Sequence, residues 1–240
     1  MEFQEFLDKL KNSAKNIGME LEKEKIEKFY TYMNLLLEWN KKVNLTAITE
    51  PNDIILKHFI DSLTIQKYIN KNSKVIDIGT GAGFPGIPIS IYRTDINTIL
   101  VDALNKRIKF LDEVIEKNKL DNIKTIHERA EELAKNNQYR EKLDIATSRA
   151  VAPLNVLLEY MLPFVTIGGY CICMKGSNIN DEIENSKKAL KVLNGTIEKI
   201  EKFKLPNSDI CRNIIIVKKV GETSLKYPRK AGTPAKEPIE

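Results

Sequence analysis

Residues Val75–Ser90 read VIDIGTGAGFPGIPIS, and the rest of the chain is arranged around them. Val75, Ile76 and Ile78 form the short apolar run of a buried strand. Gly79, Gly81 and Gly83 follow on alternate positions. Pro85 and the apolar segment after it open a helix, because the fixed φ of proline already suits a first helical turn. Strand, glycine loop and helix in that order bring bare backbone close to a ligand. A dinucleotide fingerprint would place its third glycine at position 84, which holds the bulky Phe84. The pattern here is acid-x-Gly-x-Gly-x-Gly, led by Asp77.

A second acid supports a nucleoside site. Thr98–Val101 is apolar and Asp102 closes it, where a carboxylate accepts both hydroxyls of a ribose. Nicotinamide enzymes use the same device, so Asp102 alone does not choose the cofactor, and a helix cap is its plain alternative. Together the loop and the acid resemble the first motifs of class I S-adenosylmethionine-dependent methyltransferases. A nicotinamide-dependent dehydrogenase fails on the third glycine.

The net charge of the 240 residues is +5, and Lys218–Lys236 holds all of it: six basic residues against Glu222. A basic tail suits a phosphate backbone, and a merely solvated terminus has the same composition. Three cysteines without a Cys-x-x-Cys, and two histidines, make no zinc site. The amino terminus has no signal-peptide core, and no apolar run nears the roughly 20 residues of a membrane span. The expectation is a soluble cytoplasmic protein without metal or membrane.

Residues 2–69 read as helices, with Ile26, Phe29, Tyr30, Met33, Leu36 and Leu37 at helical spacing. Pro51 starts another helix, and WNKKVNLTAIT before it reads as a structural corner. From Ser73 strands and helices alternate. Strands are expected at 74–78, 97–102, 123–127, 143–147 and 169–174, and a closing pair at 196–203 and 213–218. Helices are expected at 84–91, 104–115, 131–137, 154–161 and 179–193. The fold class is therefore α/β: a seven-stranded, mostly parallel sheet with helices on both faces, plus an N-terminal helical extension. The closing pair, joined by a turn, makes one strand antiparallel. The expected division is 1–70 helical, 71–220 methyltransferase domain and 221–240 basic tail. Ligands of such sheets lie beyond the carboxyl ends of the strands, which carry Gly79, Asp102, Ala130 with Glu131, Arg149 and Lys175.

The sequence also speaks about the methyl acceptor. Enzymes acting on exocyclic amines carry Asn/Asp-Pro-Pro-aromatic after the fourth strand, and this chain has Ser148-Arg149-Ala150-Val151-Ala152-Pro153 there. Cys171 and Cys173 lie on the next strand and read as small buried side chains. The acceptor is then a nucleophile with a lone pair and no proton to lose, such as guanine N7.

The whole pattern resembles the glucose-inhibited division protein B family of 16S rRNA guanine-N7 methyltransferases. The resemblance rests on WNKKVNLTAIT, HFIDSL, DIGTGAGFPGIP, KRIKFL, RAEEL, SRAVAPL, MKG and YPRKAGTPAKEP, and spans nearly the whole chain. It implies S-adenosylmethionine as cofactor, held by Gly79, Phe84, Ala130, Glu131 and Arg149, with Asp77, Gly81 and Asp102 matching the general class I pattern. It implies a guanine in a loop at the ribosomal decoding centre, on 16S rRNA or a small-subunit particle. Arg149 and Lys175 are the catalytic candidates, acting by position rather than as bases. Lys175, Arg229 and Lys230 are the candidate RNA contacts. The competing reading is a non-catalytic protein that holds RNA or a nucleotide on the same fold, and the intact cofactor loop argues against it.

Overall fold

The computed structural model describes all 240 residues. Seven strands form one sheet: β1 (Lys74–Ile78), β2 (Asn97–Asp102), β3 (Ile123–His127), β4 (Leu143–Arg149), β5 (Val165–Lys175), β6 (Gly195–Lys204) and β7 (Cys211–Lys219). Their order is β3-β2-β1-β4-β5-β7-β6. All neighbouring pairs are parallel except those of β7, which runs antiparallel to β5 and β6. Strand order reverses between β1 and β4, so the chain leaves in opposite directions there and opens a crevice beyond Gly79 and Arg149.

β1 shows how the pattern of the sequence becomes layers. Ile76 and Ile78 point into one apolar layer, with Leu154, Leu158 and Met161 of the helix Leu154–Met161. Val75 points to the opposite face, and so does Asp77, two positions on. That second face carries the helix Gly86–Tyr92, the helix Asn105–Lys117, and the helices α1 (Phe3–Lys15) and α2 (Lys23–Asn40). Phe6, Phe29, Tyr32 and Leu36 of α1 and α2 share one apolar core with Phe84, Ile87 and Phe110.

Two local departures stand out. The helical run from Pro51 does not stay α-helical: Ile54–Ile60 is a π-helix between short α turns. The segment expected as one helix over 179–193 is two, Asn180–Asn185 and Lys187–Val192. The Ser186 hydroxyl donates to Ile183 O at 2.8 Å, diverting the carbonyl that a continuous helix would use and breaking the run. No helix is long and apolar enough to cross a membrane.

Candidate cofactor and methyl-acceptor site

The glycine loop is held from below. Asp77 is fully buried, and its Oδ2 accepts from the Thr80 hydroxyl at 2.7 Å and the Gly86 N–H at 2.9 Å. It therefore organises the loop and offers no surface to a ligand. Burial pushes its carboxyl up to about 7, because an apolar interior disfavours the anion, while the bonds from Thr80 and Gly86 pull the other way. Asp77 Oδ1 has no partner, so a proton on it has room. The folded chain thus holds a proton that the unfolded chain has released between about pH 4 and 7. By linkage, this contribution to stability is present below that window and is lost as pH rises through it. Asp77→Asn should remove the dependence, gaining on the wild type between pH 5 and pH 8 in urea midpoints. Parallel pH curves for the two proteins would show that Asp77 stays ionised.

From above, the N-terminal helices hold the same loop. The Tyr32 hydroxyl of α2 donates to Ala82 O. The Phe84 ring has Tyr32 at 5.4 Å and 29° on centroids and planes, and His58 at 4.2 Å and 12°. At its open side, a Cβ added to Gly81 would meet nothing nearer than Gly79 O at 4.0 Å, and φ there is +62°. Only glycine takes that conformation freely, and its missing side chain leaves the backbone bare. Gly81, Phe84, Thr80 and Arg107 face a cavity of about 410 Å³. Its size, and a lining that sets the Phe84 ring among polar groups, suit a nucleoside cofactor.

Asp102 closes β2 as expected, but its oxygens are taken. Oδ2 accepts from Gly81 N–H at 3.0 Å and Arg107 Nη1 at 3.1 Å, and Oδ1 from Leu104 N–H at 2.9 Å. Arg107 Nε is buried without a partner, an unmet donor on a residue that lines this cavity. Ala130 and Glu131 stand outside this lining. Glu131 is buried, and its Oε1 accepts from the Gly232 N–H at 2.8 Å. The tail backbone thus takes up one oxygen of that carboxylate.

Arg149, at the end of β4, is where the parts converge. Its guanidinium donates to Lys57 O at 2.8 Å, to Asp61 Oδ2 at 3.1 Å and to His58 Nδ1 at 2.9 Å. It also lies 5.0 Å from the Phe84 ring centroid. The π-helical turns present the carbonyl, the imidazole and the carboxylate on one side, where a single side chain meets all three. Because Nδ1 accepts from Arg149, the His58 proton sits on Nε2, which faces Thr46 Oγ1 at 2.9 Å. Burial and the neighbouring Arg149 charge hold His58 down to about 3. The corner foreseen at WNKKVNLTAIT positions Thr46: Asn40 Oδ1 accepts from Leu45 and Thr46 N–H groups at 2.8 and 3.0 Å.

A second cavity of about 630 Å³ adjoins the first, and the two share His58, Arg149, Ala150 and Val151 as a common wall. Lys175 lines the second, with Asp61, Glu182 and Arg212. Sequence reasoning missed His58, Asp61, Glu182 and Arg212 as site residues. The visible signal was IILKHFIDSL, an apolar run carrying an imidazole and a carboxylate one helical turn apart.

The tail candidates divide. The Arg229 guanidinium is committed to the buried Glu159 at 2.7 Å, and its backbone N–H also donates to Glu159. The Lys230 side chain is exposed and makes no hydrogen bond or ion pair, while its carbonyl accepts from Thr233 N–H at 2.9 Å.

Two adjoining cavities with one shared wall could hold two molecules side by side. The family model GidB, rRNA small subunit methyltransferase G, matches residues 25–215. The chain belongs to the rRNA small subunit methyltransferase G family. Ribosomal RNA small subunit methyltransferase G of Acetivibrio thermocellus is 55% identical over 94% of this chain and 93% of its own length. The protein of that name from Desulforamulus reducens is 51% identical over 96% and 97%. Among solved structures, a SAM-dependent methyltransferase from Aquifex aeolicus superposes with a TM-score of 0.52 at 13% identity, covering 70% of this chain and 93% of that one. The AdoMet complex of M. jannaschii TYW2 gives 0.51 at 16%, covering 67% and 77%. At such identities these two share the fold alone. Family membership makes this chain an S-adenosylmethionine-dependent rRNA methyltransferase.

Proposed function

We propose that the chain transfers the methyl group of S-adenosylmethionine to N7 of a guanine in bacterial 16S rRNA, free or in a small-subunit particle, in the cytoplasm. The observation that carries this reading is the shared wall of His58, Arg149, Ala150 and Val151 between the two cavities. The bound cofactor supplies an already activated methyl group on a sulfonium. Gly79, Gly81 and Phe84 would hold it from the loop, and Arg107, oriented by its ion pair with Asp102, would meet its polar groups. The protein then needs only to hold acceptor and donor in line.

No group at the wall is free to take a proton. His58 has its acceptor nitrogen filled by Arg149, and Arg149 stays a cation anchored on Asp61. Guanine N7 asks for no base, since it reacts through a lone pair. Single-turnover rates at saturating RNA and cofactor should therefore be flat between about pH 6 and 9, where His and Lys bracket the range of ordinary side chains. Asp77 lies beneath the loop, so its titration belongs to cofactor affinity and stability, not to the saturated rate. A tenfold rise per pH unit in the chemical step would refute the baseless mechanism. Mapping N7-methylguanine in 16S rRNA treated with the protein and S-adenosylmethionine tests the function itself.

The division of labour that fits is a helical part over 1–70 that braces the loop, a methyltransferase body over 71–220, and a tail over 221–240 whose unpaired Lys230 meets phosphate. Lys230→Ala should flatten the slope of log affinity for RNA against log salt by about 0.7–0.9. Arg229→Ala should instead lower stability by about 1–3 kcal/mol, by leaving the buried Glu159 carboxylate without its guanidinium partner, and leave the slope nearly unchanged. The reverse outcome would make Arg229 the phosphate contact.

A further inference from the structure

In the second cavity most charges are spent on one another. Lys57 pairs with Asp53 at 2.9 Å, and Arg149 and Arg212 both bind Asp61 Oδ2 at 3.1 and 3.0 Å. The other Asp61 oxygen has no partner, but it is sealed from the cavity. Lys175 and Glu182 differ. Lys175 Nζ donates to Ala152 O at 2.6 Å and meets Glu182 Oε2 at 2.6 Å. An ammonium has three N–H donors, so one remains. Glu182 Oε2 also accepts from Leu154 N–H at 3.0 Å, which leaves Oε1 without a partner. The Glu182 side chain keeps 30% of its surface exposed, against 8% for Lys175. The pair thus offers one free donor beside one free acceptor, on the part of the cavity that the cofactor cavity does not share.

We propose that Lys175 and Glu182 read the edge of the acceptor base and select guanine. Going round a guanine from N7, the next polar groups are O6, an acceptor, and N1–H, a donor. With N7 turned to the shared wall, Lys175 donates to O6 and Glu182 Oε1 accepts from N1–H. Adenine has an equally available N7 but the opposite edge, with an amino group at position 6 and a bare N1. Both contacts then become mismatches, donor against donor and acceptor against acceptor. A site that hydrogen-bonds its substrate rejects such an analogue strongly, because its own polar groups are left unpaired. This inference rests on guanine N7 being the methylated atom.

The experiment uses full-length protein and small-subunit particles reconstituted with 16S rRNA carrying guanine, inosine or adenine at the target position. The wild type should methylate inosine nearly as well as guanine, since inosine keeps O6 and N1–H. It should act on adenine at a rate lower by roughly a thousandfold or more. Glu182→Gln and Lys175→Met should each lower the guanine rate by about 10- to 100-fold while the adenine rate does not fall in step. S-adenosylmethionine affinity should stay within about twofold, since neither residue lines that cavity. A merely structural pair would lower all three rates together, and an unchanged guanine-to-adenine ratio overturns the proposal. So does an unchanged guanine rate in both variants. If the wild type itself leaves guanine N7 unmethylated, the underlying reading fails instead, whatever the variants do.

Discussion

Asp61→Asn should cost the fold about 3–5 kcal/mol. The carboxylate is 1% exposed and carries two guanidiniums, Arg149 and Arg212, on one oxygen. Removing its charge while keeping its shape leaves two close cations with no anion between them. Neither side chain can swing into water without breaking other bonds, since Arg149 is also tied to Lys57 O and His58, and Arg212 to Cys211 O. For a chain of this size the loss corresponds to a melting point lower by on the order of 10 °C. Methyl transfer should fall with it, because the wall between the two cavities is hung on this carboxylate. The check is thermal unfolding with activity measured well below the transition. Asp61→Asn melting with the wild type would mean that the arginines are neutralised elsewhere.

Gly81→Val should abolish cofactor binding without unfolding the chain. The added Cβ meets no protein atom closer than 4.0 Å, so the protein itself has room for it. The backbone cost of a left-handed φ is about 1–2 kcal/mol, tolerable in a folded domain. The new methyls fill the one face where loop backbone lies open, so affinity for S-adenosylmethionine should drop by roughly 100-fold or more, equivalent to about 2.8 kcal/mol. Gly86→Ala makes the contrast. Its Cβ would fall 2.3 Å from Leu100 Cδ2 and 2.9 Å from Asp77 Oδ2, so that variant should lose the fold first. Titration calorimetry on folded Gly81→Val decides the point, and wild-type affinity would move the cofactor elsewhere.

The contrast between these two glycines shows what was legible in advance. The loop, its flanking strand and its helix are all local, so Val75–Ser90 contains the instructions for its own shape. Strands β1, β2 and β3 also matched their expected bounds, because each is a short segment with apolar β-branched residues and clear breaks at its ends. The wall shared by the two cavities was not legible. Arg149 and Asp61 are 88 positions apart, and only packing of the helical part on the sheet brings them together. The π-helical turns carry no glycine or proline to announce them. Charge counting misread the tail for the same reason: Arg229 counts as surplus until Glu159, 70 positions earlier, is seen beneath it. Asp77 was legible as important but not as buried, since an acid before a glycine loop reads alike whether it faces a ligand or props the loop.

Tyr32 and Phe84 bear on how such enzymes diversify. Many catalytic folds gain new targets by exchanging an appended recognition module through a linker. Here the helical part shares one apolar core with the helices of the sheet, and it meets the glycine loop through the Tyr32 hydroxyl on Ala82 O and its ring against Phe84. Exchange of that part would remove the ceiling of the loop along with any selectivity it confers. A chimaera bearing a foreign cap should fold and bind cofactor only where the graft restores an aromatic hydroxyl at that point. The two halves are therefore expected to evolve as one piece, with new targets reached by substitutions around the second cavity in place of module shuffling.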